Sequence, residues 1–253
     1  MEHHARPTPT SKRVSLFVTC IVDMIYPQTG MATVAVLEKL GLEVDFPMAQ
    51  TCCGQMGFNA GYRAEAKAVA TQFLKAFKDA ELIVSPSGSC TSMVRHFYPQ
   101  LFADDPTWQA EMQRIVDNTW ELTEFLVDGL GVTDVGTTLP TPTRIAMHDA
   151  CHGLRMSGIK SQPRTLLQHV HNAEFVELPG ADQCCGFGGL FAVKLPEISG
   201  AMLNDKVRSL DTVEADVIVT CDASCLTQMN GGLSRQGSSR RVVHIAEVLA
   251  GRV

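Results

Sequence analysis

Positive charge is in short supply: 21 lysines and arginines face 27 aspartates and glutamates, leaving a formal net charge of -6 with no basic block to offset it locally. That balance gives no general attraction for polyanions, so nucleic acid is excluded as an expected partner. Long apolar runs are missing too. The stretch VSLFVTCIVDMIY is interrupted by Asp23 and is too short to cross a bilayer, so no transmembrane segment is expected. The opening MEHHARPTPTSKR has no apolar core of the kind a secretory leader needs, and the expected location is cytoplasmic. Neither a Gly-x-Gly-x-x-Gly after the first strand nor a Walker loop occurs, which removes support for nucleotide or flavin binding.

What the chain does have is cysteine, nine in 253 residues. With 45% hydrophobic and 19% charged residues it is a globular protein long enough for one large domain or two compact ones. An odd cysteine count in a reducing compartment argues against a disulfide framework. Metal binding, redox chemistry and ordinary buried thiols remain as uses.

The cysteines expose a duplication. VSLFVTC, ending at Cys20, corresponds to TRIAMHDAC, ending at Cys151. Cys52-Cys53-Gly54 follows 32 residues after Cys20, and Cys184-Cys185-Gly186 follows 33 after Cys151. ELIVSPSGSC, ending at Cys90, matches ADVIVTCDASC, ending at Cys225, and WELTEFLVDG resembles VVHIAEVLAG. Landmarks in one order at nearly constant offsets mark two tandem copies. We expect a flexible N-terminus over 1–10, a first repeat over 11–135, a Pro-, Gly- and Thr-rich linker over 136–142 and a second repeat over 143–253.

Each copy alternates strand and helix. RVSLFVT, LEVDFP and ELIVS read as strands, and TGMATVAVLEKLG and YRAEAKAVATQFLKAFKDA as amphipathic helices. The second copy repeats this with TRIAMHD, AEFVELP and DVIVT around helices in SQPRTLLQHVHN and ISGAMLNDKVRSLDTV. The expected class is α/β: two repeats, each a small parallel sheet flanked by helices, with the cysteines at the carboxyl ends of strands, where such sheets gather ligands.

The first copy then offers Cys20, Cys52, Cys53 and Cys90. The second offers Cys151, Cys184, Cys185, Cys221 and Cys225, with Cys221 standing where the first copy has Pro86. Four or more convergent sulfurs suit tetrahedral zinc or an iron–sulfur centre. Neighbouring side chains in an extended segment diverge, so a vicinal pair such as Cys184-Cys185 fits the separated irons of a cluster better than one small ion. Gly54 and Gly186 allow the chain to turn after each pair and let backbone N–H groups approach sulfur, and Gly188 and Gly189 extend that surface. On these grounds the two sites are expected to be unequal, with a cluster, zinc or only a structural copy in the four-thiol half.

The doubled pattern Cys20…Cys52-Cys53-Gly54…Cys90 and Cys151…Cys184-Cys185-Gly186…Cys221…Cys225 resembles the duplicated cysteine-rich CCG domain, the family that includes the disulfide-cleaving component of heterodisulfide reductase and the iron–sulfur subunits of glycolate oxidase. The likeness covers nearly the whole chain. In lacking a ferredoxin-like Cys-x2-Cys-x2-Cys run, the chain is similar to the short lactate-utilisation members. The resemblance implies an electron-transfer subunit of an oxidoreductase complex acting on L-lactate or a similar 2-hydroxy acid. It implies an iron–sulfur cluster of [4Fe–4S] type on Cys151, Cys184, Cys185, Cys221 and Cys225, and a second cluster or zinc in the first repeat. It also implies as partners a ferredoxin-like iron–sulfur subunit and a third small subunit. Heterodisulfide-type thiol–disulfide chemistry and a zinc-stabilised assembly scaffold are the alternatives.

His148 and His152 flank Cys151. Either is a candidate auxiliary ligand or hydrogen-bond donor to a buried cluster, and His152 is the better candidate because it is expected in the loop beside the cysteine. Arg155, Lys160 and Arg164 form the most basic stretch of the second half and read as a solvated helix start rather than a carboxylate trap.

Overall fold

The computed structural model describes Arg6 and residues 8–253; the rest of the expected N-terminal segment, residues 1–5 and 7, lies outside the described residues. Arg6 is anchored, its guanidinium 3.7 Å over the Trp120 ring and donating to the Thr119 carbonyl at 2.9 Å.

Two four-stranded sheets, entirely parallel, carry the fold. The first contains β1 (Arg13–Leu16), β2 (Glu43–Asp45), β3 (Ile83–Ser85) and β4 (Thr119–Glu121) in the order β2-β1-β3-β4. The second contains β5 (Thr138–His148), β6 (His171–Val176), β7 (Val217–Thr220) and β8 (Val242–His244) in the equivalent order β6-β5-β7-β8. The expected pairs of strands and crossover helices are all present, among them helices Pro27–Lys39 and Arg63–Ala76 in the first repeat and Ser161–Gln168 and Pro196–Asp211 in the second. The edge strands β4 and β8 were not expected. They fall in the matched tails around Trp120 and Val243 and are three residues long, too short for alternation to show.

The segment expected as a linker is partly strand, because β5 begins at Thr138. Its prolines, Pro140 and Pro142, sit where the β5–β6 register shifts between Thr138 and Thr143, so their missing N–H groups interrupt a ladder that is already irregular. Thr138 still pairs with His171.

One face of each sheet feeds a shared core. Val14, Val84 and Trp120 from the first sheet pack in one cluster with Ile145, Met147, Val217, Val219 and Val243 from the second, together with helix residues such as Val36, Leu37, Leu166 and Leu167. The opposite faces pack on each repeat's own helices: Phe17, Ile83, Phe73 and Tyr98 in the first, Ala146, Ile218, Leu203 and Leu210 in the second. Burying a continuous apolar layer between the repeats ties them into one body and fixes how their strand ends face each other.

Candidate metal centre

In both sheets the chain leaves the two central strands in opposite directions, toward β2 and β4 or toward β6 and β8. This opens a crevice beyond their carboxyl ends, the usual ligand position in such sheets. The cysteines flank it. Cys20 and Cys151 each begin a short helix just beyond the first strand of their repeat. Cys90 and Cys225 lie in the helices that follow β3 and β7, whose starts are capped by Ser87 and Asp222. The Cys-Cys-Gly loops follow β2 and β6 and turn on Gly54 (φ 84°) and Gly186 (φ 85°), a left-handed conformation that favours glycine. Each glycine N–H then points back at the first thiol of the pair: Gly54 N–H to Cys52 Sγ and Gly186 N–H to Cys184 Sγ, both at 3.4 Å.

The result is the same string of thiols twice, Cys20–Cys52–Cys53–Cys90 and Cys151–Cys184–Cys185–Cys225. Cys20 Sγ lies 3.6 Å from Cys52 Sγ, and Cys185 Sγ lies 3.4 Å from Cys225 Sγ. The expectation that vicinal side chains diverge does not hold, because these loops are not extended: Cys52 interacts with both Cys20 and Cys53, and Cys184 with both Cys151 and Cys185. The consequence is a poised charge. Hydrogen bonds from Cys20 and then Cys53 hold the Cys52 thiol down to about 3. Bonds from Cys151 and then Cys185 hold Cys184 down to about 2. The donors Cys20, Cys151, Cys53 and Cys185 are pushed up, first by donating to those thiolates and then by burial or neighbouring thiols. Each quartet therefore keeps a thiolate ready, and its other protons leave when a cation brings compensating charge.

Both quartets line one cavity of about 180 Å³, with Met56, Ser89, Phe187 and Asp222 among its other walls. Eight cysteines thus meet where two separate, unequal sites were expected. The ninth, Cys221, does not join them. Val217, Val219 and Cys221 alternate along one face of the second sheet, and that face is the shared core, so the Cys221 thiol is buried among apolar side chains near Glu121 and Thr123. With Cys221 turned away, the two repeats present four thiols each.

Both histidines lie near the thiols. His152 lies inside helix Cys151–Ser157 rather than in a loop; it lines the cavity with Nδ1 3.8 Å from Cys151 Sγ. His148, fully buried at the end of β5, has a ligand nitrogen within 4.8 Å of the Cys185 and Cys225 thiols, and its ring makes no well-formed hydrogen bond among the described residues, the Ala181 carbonyl being the polar backbone group that acts on it. Burial, then the nearby Lys206, lowers its pKa to about 3. Of the basic stretch, Arg155 and Lys160 are exposed, whereas Arg164 is wedged between Asp149 and Glu177 at 2.7 and 2.9 Å. Two residues escaped sequence reasoning. Asp222 binds the repeats together at the cavity wall, accepting from Ser87 Oγ at 3.1 Å and Ser89 N–H at 2.8 Å. Its signal was its position three residues before Cys225, a helix-cap position. Lys206 is fully buried and carries no sequence signal beyond a lysine on the apolar side of a helix.

This donor set, thiols with one imidazole and no carboxylate at bonding distance in the candidate triad, suits thiophilic metals. Fold and site together define a duplicated, cysteine-rich α/β protein with thiol quartets at the sheet switch points. The cysteine-rich CCG domain matches twice, over residues 14–95 and 145–230. The chain belongs to that family and, within it, to the lactate utilization protein A group. It is 50% identical over 240 residues to Lactate utilization protein A of Bacillus velezensis, covering 95% of this chain and 100% of that one. It is 49% identical to the Geobacillus kaustophilus protein of the same name, covering 95% and 99%. Among solved structures, a hypothetical protein from Helicobacter pylori shares the fold with a TM-score of 0.58 at 14% identity, over 98% of this chain and 51% of that one. No helix among the described residues is long and apolar enough to cross a membrane.

Proposed function

We propose that this chain is an iron–sulfur electron-transfer subunit of an oxidoreductase complex acting on L-lactate or a similar 2-hydroxy acid. The observation that carries the reading is the pair of identical four-thiol strings facing one cavity, in a chain whose relatives are named for lactate utilization. Cys151, Cys184, Cys185 and Cys225 would hold a [4Fe–4S]-type cluster, and Cys20, Cys52, Cys53 and Cys90 a second. A bound cluster supplies reversible one-electron storage. The chain's own groups do the rest. Cys52 and Cys184 enter as thiolates, the Gly54 and Gly186 N–H groups stabilise them, and Phe187 and Met56 narrow the cavity against water. Since no hydride-accepting cofactor has a binding motif here, substrate oxidation belongs to partner subunits, a ferredoxin-like iron–sulfur protein and a third small subunit.

One observation favours a second reading, a zinc-stabilised assembly scaffold. Thiol spacings of 3.4 and 3.6 Å approach the sulfur–sulfur edge of about 3.8 Å in a tetrahedral site with Zn–S bonds of about 2.3 Å. Metal analysis separates the two. Protein purified without oxygen should be brown, with iron and acid-labile sulfide in near-equal amounts, and Cys185→Ser should lose iron while staying folded. Colourless protein containing zinc alone would overturn the iron–sulfur reading.

A further inference from the structure

The two thiol strings match, but what stands behind them does not. Counting back three residues from Cys20 and Cys151 places Phe17 and His148 at equivalent positions. The Cβ built on Gly54 meets the Ala66 carbonyl, and the one on Gly186 meets the Ser199 carbonyl, so Ala66 corresponds to Ser199 and, seven residues on, Phe73 to Lys206. All four of these side chains are fully buried. Behind the first string, Phe17 and Phe73 pack edge to face with centroids 4.7 Å apart in the apolar cluster that includes Cys53. Behind the second, the same two places hold an imidazole and an ammonium.

A buried ammonium is costly unless an anion balances it. Lys206 Nζ donates to two carbonyls, Gly180 at 2.8 Å and Ala181 at 3.3 Å, and no carboxylate among the described residues is within ion-pair distance. Among the acidic groups around it, the Cys185 and Cys225 sulfurs, negative once they ligate a metal, weigh ahead of Asp149 and Asp182. His148 adds a buried ring with a nitrogen within 4.8 Å of the same two sulfurs and no well-formed hydrogen bond among the described residues. Positive charge and hydrogen-bond donors near sulfur favour the reduced, more negative state of an iron–sulfur centre, whereas an apolar wall opposes it.

We propose that Lys206, with His148 beside it, is the built-in counter-charge of the second-repeat centre and sets its reduction potential above that of the first, so that an electron delivered to the pair comes to rest on the second repeat. This rests on the cluster reading above. Lys206 and His148 act through the thiolates and are positioning residues.

The test is a potentiometric titration of the whole cluster-loaded protein, with dithionite as reductant, followed by visible absorption and electron paramagnetic resonance. Wild type should show two midpoints, the upper lost in Cys225→Ser and the lower in Cys90→Ser. Lys206→Met keeps side-chain length without charge. It should shift the upper centre's reduced-to-oxidised ratio about ten-fold toward oxidised, about 59 mV for a one-electron couple, leaving the lower midpoint and iron content unchanged. His148→Phe, which installs the first repeat's own residue, should move the upper midpoint the same way and serves if Lys206→Met does not fold. Iron-replete protein whose upper midpoint is unmoved, or whose two midpoints shift together, overturns the inference alone. Wild type devoid of iron overturns the cluster reading and the inference with it.

Discussion

Gly186→Ala is the most informative single perturbation of the site's scaffold, because Gly54→Ala provides an internal reference with the same backbone angle. Both glycines sit near φ 85°, so each alanine pays the left-handed cost of about 1–2 kcal/mol. The surroundings differ. A Cβ on Gly54 would come to 3.2 Å from the Ala66 carbonyl, a contact that a few tenths of an ångström of movement relieves. On Gly186 it would come to 2.7 Å from the Ser199 carbonyl and 3.0 Å from Met202 Cβ, so backbone must move. That movement also strains the Ser199 hydroxyl bond to the Gly186 carbonyl at 2.8 Å. Overpacking of this kind adds about 1–3 kcal/mol, for a total of about 2–5 kcal/mol at Gly186 against about 1–2 kcal/mol at Gly54. Urea unfolding of the three proteins measures the difference directly. Because the loop positions Cys184 and its Gly186 N–H donor, Gly186→Ala should also lower metal retention in the second repeat. Equal destabilisation by the two alanines would refute the argument that close approach to helix Pro196–Asp211 sets the cost.

Cys221→Ala should leave metal content at the wild-type level, with a stability loss of about 1 kcal/mol for the small volume removed, whereas Cys225→Ser should empty its site; metal analysis of both decides it. Glu121, buried beside Cys221, has its pKa raised to about 7, chiefly by desolvation. The folded state therefore holds its proton more tightly than the unfolded state. The resulting stability is complete below about pH 4.5 and is lost as pH rises through about 7, up to about 3 kcal/mol. Glu121→Gln should flatten that slope between about pH 5 and 7.5, and parallel urea-midpoint profiles for the two proteins would contradict it. Asp222→Ala removes acceptors from Ser87, Ser89 and Ser224 at once and should cost about 2–4 kcal/mol, measured by chemical denaturation, with Asp222→Asn milder.

Much of the site was legible because parallel α/β architecture converts chain position into spatial position. A cysteine at the end of a first or third strand must reach the carboxyl edge of the sheet, and Gly54 and Gly186 betrayed the turns that bring the second and third thiols to meet it. Side-chain direction was less accessible. Cys221 could have been set aside by pleat parity with Val217 and Val219, but nothing in one strand says which face looks into a shared core. His152 does line the thiol cavity, from a helix rather than a loop, whereas the approach of His148 to Cys185 and Cys225 had no sequence signal beyond its place at a strand end.

The order and spacing of residues by themselves determined the duplication, the parallel sheets and the placing of the cysteines at strand ends, since these depend on local periodicity and on connections that must cross over in one hand. Only tertiary structure decided that the two quartets share a cavity, that Asp222 of one repeat grips Ser87 and Ser89 of the other, and that Lys206 and His148 back one string while Phe17 and Phe73 back its twin. Those are contacts between residues distant along the chain, and they exist because burying the apolar layer between the sheets leaves the repeats a single relative orientation.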